Sequence, residues 1–177
     1  KGDLAESDIT PVLNHGALGV MRYMLGDDVN IVSAPHLAEE RGIEITSSTT
    51  VGGGEGFTDL ITVKLVTDKG ERSVTGTVFA RRHLRLVKID DFEMELSPEG
   101  PIMLVFGKDE PGLIGRVGSI IGRADVNIGR MAYGRKSVGG RALLAVQLDA
   151  ICTEEVLAQI AELPPVGQVE LINFWAP

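Results

Sequence analysis

Cysteine is almost missing from this chain: Cys152 is the single one in 177 residues. That excludes an internal disulfide and a metal cluster built on thiolates. Histidine is nearly as scarce, and His15, His36 and His83 share no ligand spacing, so no metal site is expected. No apolar run approaches the roughly 18 residues that a membrane span requires. A basic, apolar leader ending in small residues is lacking too, and the chain is expected to be cytoplasmic. Positive charge is in deficit. The net charge is −8, and residues 1–98 carry −6 of it through 10 basic and 16 acidic side chains. This balance disfavours nonspecific binding to nucleic acid or to an anionic membrane. Finally, no G-x-G-x-x-G opens a helix after a strand, so no dinucleotide site and no catalytic residue are assigned. Gly52-Gly53-Gly54-Glu55-Gly56 lacks that context and reads as a loop.

What remains is ordinary globular material, 44% hydrophobic and 24% charged, enough for one medium domain or two small ones. Ser97-Pro98-Glu99-Gly100-Pro101 interrupts the pattern. It reads either as a boundary between domains 1–97 and 98–177 or as a tight turn within one domain. The first residue is Lys1 rather than Met, from which a longer parent chain is expected.

Downstream of that stretch the periodicities close on themselves. Residues 102–106 form an unbroken apolar run, as in a strand buried on both faces. From Leu113, apolar residues recur at 113, 114, 117, 120, 121 and 124 along one helix face. Gly115, Gly118, Ser119 and Gly122 line a neighbouring face. Residues 127–135 and 141–149 read as strands joined by a loop holding Gly139 and Gly140. A second helix starts after Thr153 and stops at Pro164-Pro165, and 169–174 makes a last strand. The order is βαββαβ, the ferredoxin-like arrangement. Met131 and Tyr133 share a strand face and read as core, with packing across an interface between two copies as the alternative.

The first half is less regular and reads as a mixed α+β domain with a mostly antiparallel sheet. A helix is expected over 8–26, a short strand over 29–32, a short helix ended by Gly42 and a strand over 43–48. Two hairpins follow, one around Asp68-Lys69-Gly70 and one around Asp90-Asp91.

A free amino acid requires an anionic acceptor for its ammonium and donors for its carboxylate. Asp109 stands where the first strand of 98–177 gives way to a helix, and the amides of Leu113 and Ile114 open that helix. First-turn amides lack intrahelical partners and suit an anion. Gly112 permits close backbone approach. Asn127 can donate and accept. From the residues alone, Asp109 is a ligand carboxylate or a helix N-cap, and Asn127 a ligand or a turn residue. Arg81-Arg82-His83, with Arg85 and Lys88, is the densest positive stretch. Arg81, His83 and Arg85 share a strand face, either as an anion site or as ordinary surface ion pairs.

Lys108-Asp109-Glu110-Pro111-Gly112-Leu113-Ile114, followed by Val126-Asn127-Ile128, resembles the signature of ACT domains. These are regulatory modules that typically bind amino acids between two copies. Gly2-Asp3-Leu4-Ala5, Val29-Asn30-Ile31-Val32-Ser33-Ala34-Pro35, Leu37-Ala38-Glu39-Glu40-Arg41-Gly42-Ile43 and Val74-Thr75-Gly76-Thr77-Val78 resemble another module. It is the allosteric substrate-binding, or intervening, domain of long-form D-3-phosphoglycerate dehydrogenases. Ser33 stands where that family commonly has Asn.

The resemblance implies the regulatory end of an enzyme that starts serine synthesis, with NAD confined to an absent catalytic region. It implies L-serine or a related amino acid as feedback effector, held by Asp109 and by the residue matching Asn127 from a neighbouring subunit, in a homo-oligomer joined through ACT domains. It also implies a phosphate or phosphorylated substrate near Arg85. Gly107 departs from the histidine or tyrosine that some members place there. Two rivals remain: the regulatory part of an iron–sulfur L-serine dehydratase, and a stand-alone amino-acid sensor.

Overall fold

The computed structural model of the chain describes residues 1–52, 56–80 and 82–174. Compactness divides the chain into Lys1–Val63 and Lys64–Pro177, well before the stretch at 97–101 that composition marks.

The first unit is built on two helices, α1 (Thr10–Leu25) and α2 (Ala34–Glu40). Asp8 Oδ1 accepts the Thr10 amide at 2.9 Å just ahead of α1, and Gly26, at φ 90°, ends it. Ala17, Met21, Val29, Ala34 and Ala38 form the buried contact between them. Two expected strands are not formed. Asn30 Oδ1 accepts the amides of Val32 and Ser33 at 2.9 and 3.0 Å. This bends residues 29–32 into the turn that opens α2, an Asx turn. After α2, the Gly42 amide donates to Glu39 and the Ile43 amide to Ala38, each at 2.9 Å. That pairing is a Schellman motif, and Ile43 packs on the helix core rather than starting a strand.

The boundary between the units falls inside β1 (Ile61–Thr67). β2 (Gly70–Phe79), β3 (His83–Ile89) and β4 (Phe92–Leu96) follow, in the sheet order β1-β2-β3-β4. Both expected hairpins are formed.

The C-terminal module runs β5 (Gly100–Lys108), α3 (Leu113–Arg123), β6 (Ile128–Arg135), β7 (Arg141–Leu148), α4 (Glu154–Ala161) and β8 (Val166–Phe174). Its sheet order is β6-β7-β5-β8, with the recorded pairs antiparallel. Alternation explains why the run 102–106 is apolar throughout. Met103 and Val105 face α3 and α4 beside Leu113, Val117, Ile121, Val156 and Ile160. Ile102 and Leu104 face the other way, against Ile89, Phe92 and Leu96 of β3 and β4. The C-terminal sheet is therefore covered on both faces, by helices on one and by β3–β4 on the other. That stacking moves the compact boundary upstream: the strands before 97 share a core with those after it. Lys136 Nζ to Asp91 at 3.5 Å and the Arg141 guanidinium over the Phe92 ring, 5.6 Å from its centroid, reinforce the stack at one end.

Met131 and Tyr133 pack on the helix-side core, as expected. Cys152 lies in the same core, and burial pushes its thiol pKa up. Among the described residues, no helix is long and apolar enough to cross a membrane.

Candidate functional site

The site forms where β5 gives way to α3, beside the β6–β7 loop. Gly112 takes φ 84° at the N-cap of α3, without a side-chain cap bond. Asp109 is therefore not a helix cap. Its carboxylate is turned to the neighbouring strand: Oδ1 accepts the Tyr133 hydroxyl at 2.9 Å, and Oδ2 accepts Arg135 Nη1 and the Gly139 amide, each at 3.0 Å. The main chain is fastened at the same point, since the Asp109 amide donates to the Gly140 carbonyl at 2.7 Å. The Gly139 amide first, then the Tyr133 hydroxyl, hold the Asp109 carboxyl below the usual carboxylate range, with a smaller contribution from Arg135. Burial, then the bond to Asp109, pushes Tyr133 up to about 12.

These three partners were not identified from the sequence. Tyr133 and Arg135 sit two residues apart on β6 and so share a face. The Gly139-Gly140 loop folds back over the end of β5 because Gly139, at φ 72°, adopts the left-handed region.

Of the amides expected to meet an anion, that of Leu113 is already used. It donates to Glu110 at 3.2 Å, and its side chain is buried. Ile114 follows it in the first turn with a half-exposed side chain.

Asn127 is elsewhere. Its Nδ2 donates to Asp149 Oδ2 at 2.6 Å, beside the Ile128–Leu148 pair that closes the far end of β6 and β7. Asp109 follows Lys108, which pairs with Arg141 at the near end of β7. β7 spans Arg141–Leu148, so at about 3.4 Å per residue the two stand roughly 20–25 Å apart. One copy of the chain does not bring them together.

Gly107 is fixed by its neighbours. A Cβ added there would press into the Pro165 carbonyl oxygen and stand 3.2 Å from Val166 Cα. Here β8 crosses too close for a side chain.

The basic cluster lies around the start of β3. Arg81 lies outside the described residues. Arg82 sits in the turn, His83 opens β3 exposed, and Arg85 Nε donates to Glu95 at 3.3 Å. An anion at Arg85 would compete with that carboxylate. Among the described residues, no three His, Cys, Asp or Glu side chains gather to hold a metal ion.

Comparison with known proteins gives the family. Residues 1–90 match the D-3-phosphoglycerate dehydrogenase intervening domain. The chain is 30% identical over 173 residues to D-3-phosphoglycerate dehydrogenase of Methanocaldococcus jannaschii, covering 98% of this chain and 32% of that one. It is 27% identical over 145 residues to the probable L-serine dehydratase beta chain of Bacillus subtilis, covering 82% of this chain and 66% of that one. A solved ACT domain from the GTP pyrophosphokinase of Chlorobium tepidum aligns at 17% identity and a TM-score of 0.35, over 42% of this chain and 97% of its own. The chain spans about a third of the length of the dehydrogenases it matches. With its first half matched and the βαββαβ module following, the chain belongs to the regulatory region of the D-3-phosphoglycerate dehydrogenase family.

Proposed function

We propose that the chain senses a free amino acid, with L-serine as feedback effector, at sites shared between two copies of its C-terminal module, 98–177. The larger enzyme would be an NAD-dependent dehydrogenase of serine synthesis, with residues 1–97 as the intervening domain between its catalytic part and this module. The separation of Asp109 from Asn127 carries the reading. β6 is an edge strand, and edges invite pairing with a second copy. Antiparallel pairing of β6 with its own copy about a two-fold axis near Met131 sets the start of one strand beside the end of the other. The partner's Asn127 then comes to the end of β6 that carries Tyr133 and Arg135, and so to Asp109.

The test is calorimetry with L-serine on a mixed dimer of Asp109→Ala and Asn127→Ala chains. One of its two sites carries both lesions and the other neither, so half the sites should keep the parent's affinity. Two equally damaged sites would show that each chain builds its site alone. Lack of amino-acid binding by the parent would sink the reading altogether.

The relative named as an L-serine dehydratase beta chain, of which the chain covers 66%, favours a second reading: the same sensing module attached to a dehydratase. The sequence preceding Lys1 separates the two, since a dehydrogenase would show a strand followed by G-x-G-x-x-G.

A further inference from the structure

We propose that Arg135 is the anchor for the carboxylate of an α-amino-acid effector, an inference that rests on the amino-acid-sensing reading above. An ammonium and a carboxylate on one carbon require an anion and a cation close together in the protein. Asp109 supplies the anion. Arg135 holds the nearest cation, with Nη1 3.0 Å from Asp109 Oδ2.

Both groups have capacity to spare. Asp109 accepts three hydrogen bonds, and a carboxylate offers about four acceptor positions. The guanidinium carries five donors in a flat fork. One of them is directed at Asp109, and the side chain is 51% exposed. A fork that is half-exposed and already oriented by one bond matches a second carboxylate in bidentate fashion.

Position 107 cannot take this role. A Cβ there would collide with the Pro165 carbonyl, so in this chain β5 delivers no side chain at that point. The donor comes instead from β6, across the loop that holds Asp109. The Leu113 amide is used by Glu110, and the guanidinium offers a carboxylate two parallel donors where a single first-turn amide such as that of Ile114 offers one. Lys136, the next residue, is turned to Asp91 and does not compete. A plain surface ion pair is the alternative for Arg135, and such pairs contribute little; the two roles differ in what they predict for the ligand.

Calorimetry on the full chain decides it, with L-serine, L-alanine, glycine and L-serine methyl ester as probes. At a pH acidic enough to keep its amine protonated, the ester retains the ammonium and hydroxyl and lacks the carboxylate. The parent should prefer L-serine to the ester by about tenfold or more, as loss of a charge-assisted pair predicts. Arg135→Gln should weaken L-serine by a similar factor and leave the ester within about twofold, abolishing the preference. Arg135→Lys should restore part of it. A parallel loss for acid and ester would overturn the proposal, because Arg135 would then serve only to orient Asp109. An acid preference that survives in Arg135→Gln would overturn it as well, while leaving amino-acid sensing intact. A parent that binds none of the four probes would remove both the anchor and the sensing function.

Discussion

The Tyr133 hydroxyl donates to Asp109 Oδ1 at 2.9 Å, so a side chain packed on the helix-side core also fixes the carboxylate at the mouth of the site. β6 thereby ties the interior of the module to the surface that carries Asp109 and Arg135.

This bond has an alkaline signature. The folded chain raises Tyr133 from 10.0 to about 12, so folding favours the neutral phenol. The stabilisation is fully present below pH 10 and is lost as pH rises through about 12. The urea midpoint should fall across that window in the parent. In Tyr133→Phe that part of the fall should vanish, together with the phenolate absorbance step near pH 12.

Asp109 predicts the opposite limb. Its carboxyl is held below the ordinary 3.8, so it stabilises the fold above that value, and the benefit is lost as pH drops through the lowered one. Asp109→Asn should flatten the acid limb of a urea titration below pH 3.8 and leave the midpoint's pH dependence near neutrality unchanged. An unaltered acid limb would mean that Gly139 and Tyr133 do not favour the ionised form.

Gly107 is a steric requirement. In Gly107→Ala the added methyl must push β8 away from β5, because its nearest neighbours are the Pro165 carbonyl and Val166 Cα. Overpacking of this kind costs about 1–3 kcal/mol. Denaturant melts should register it, and a variant as stable as the parent would show that β8 yields freely there.

Much of the C-terminal module was legible because its signals are local. The run 102–106, the helical stripe from Leu113 and the paired glycines at 139 and 140 each specify one element. The first half misled where a side chain overrode the apolar pattern. Val29 and Ile31 suggested a strand, yet Asn30 bends the chain through two amides. Ile43 suggested another, yet it seals the end of α2. Asp109 and Asn127 were identified as candidates, but Tyr133, Arg135 and Gly139 were not linked to Asp109. Those links depend on register and loop closure, which leave no mark in a linear pattern. The contact of β3 and β4 with the C-terminal sheet was hidden for the same reason, since Ile102 and Leu104 are apolar whatever covers them.

That contact is measurable. Phe92 is 2% exposed in the core shared by the two sheets, and Phe92→Ala should cost about 3–5 kcal/mol. A fragment 98–177 would bare Ile102, Leu104, Leu143 and Ala145, whereas a fragment 64–177 keeps them covered. The shorter piece should bind a hydrophobic dye and melt earlier. Equal stability of the two would show that β3–β4 adds nothing to the module.

The β6–β7 loop has two tenants. Its Gly139 amide holds the Asp109 carboxylate, while at its base Lys136 reaches Asp91 and Arg141 covers Phe92. A ligand that drew Asp109 away from Gly139 would slacken the same rope that moors the β3–β4 turn. Six residues of hairpin thus join the Asp109 carboxylate to the β3–β4 turn.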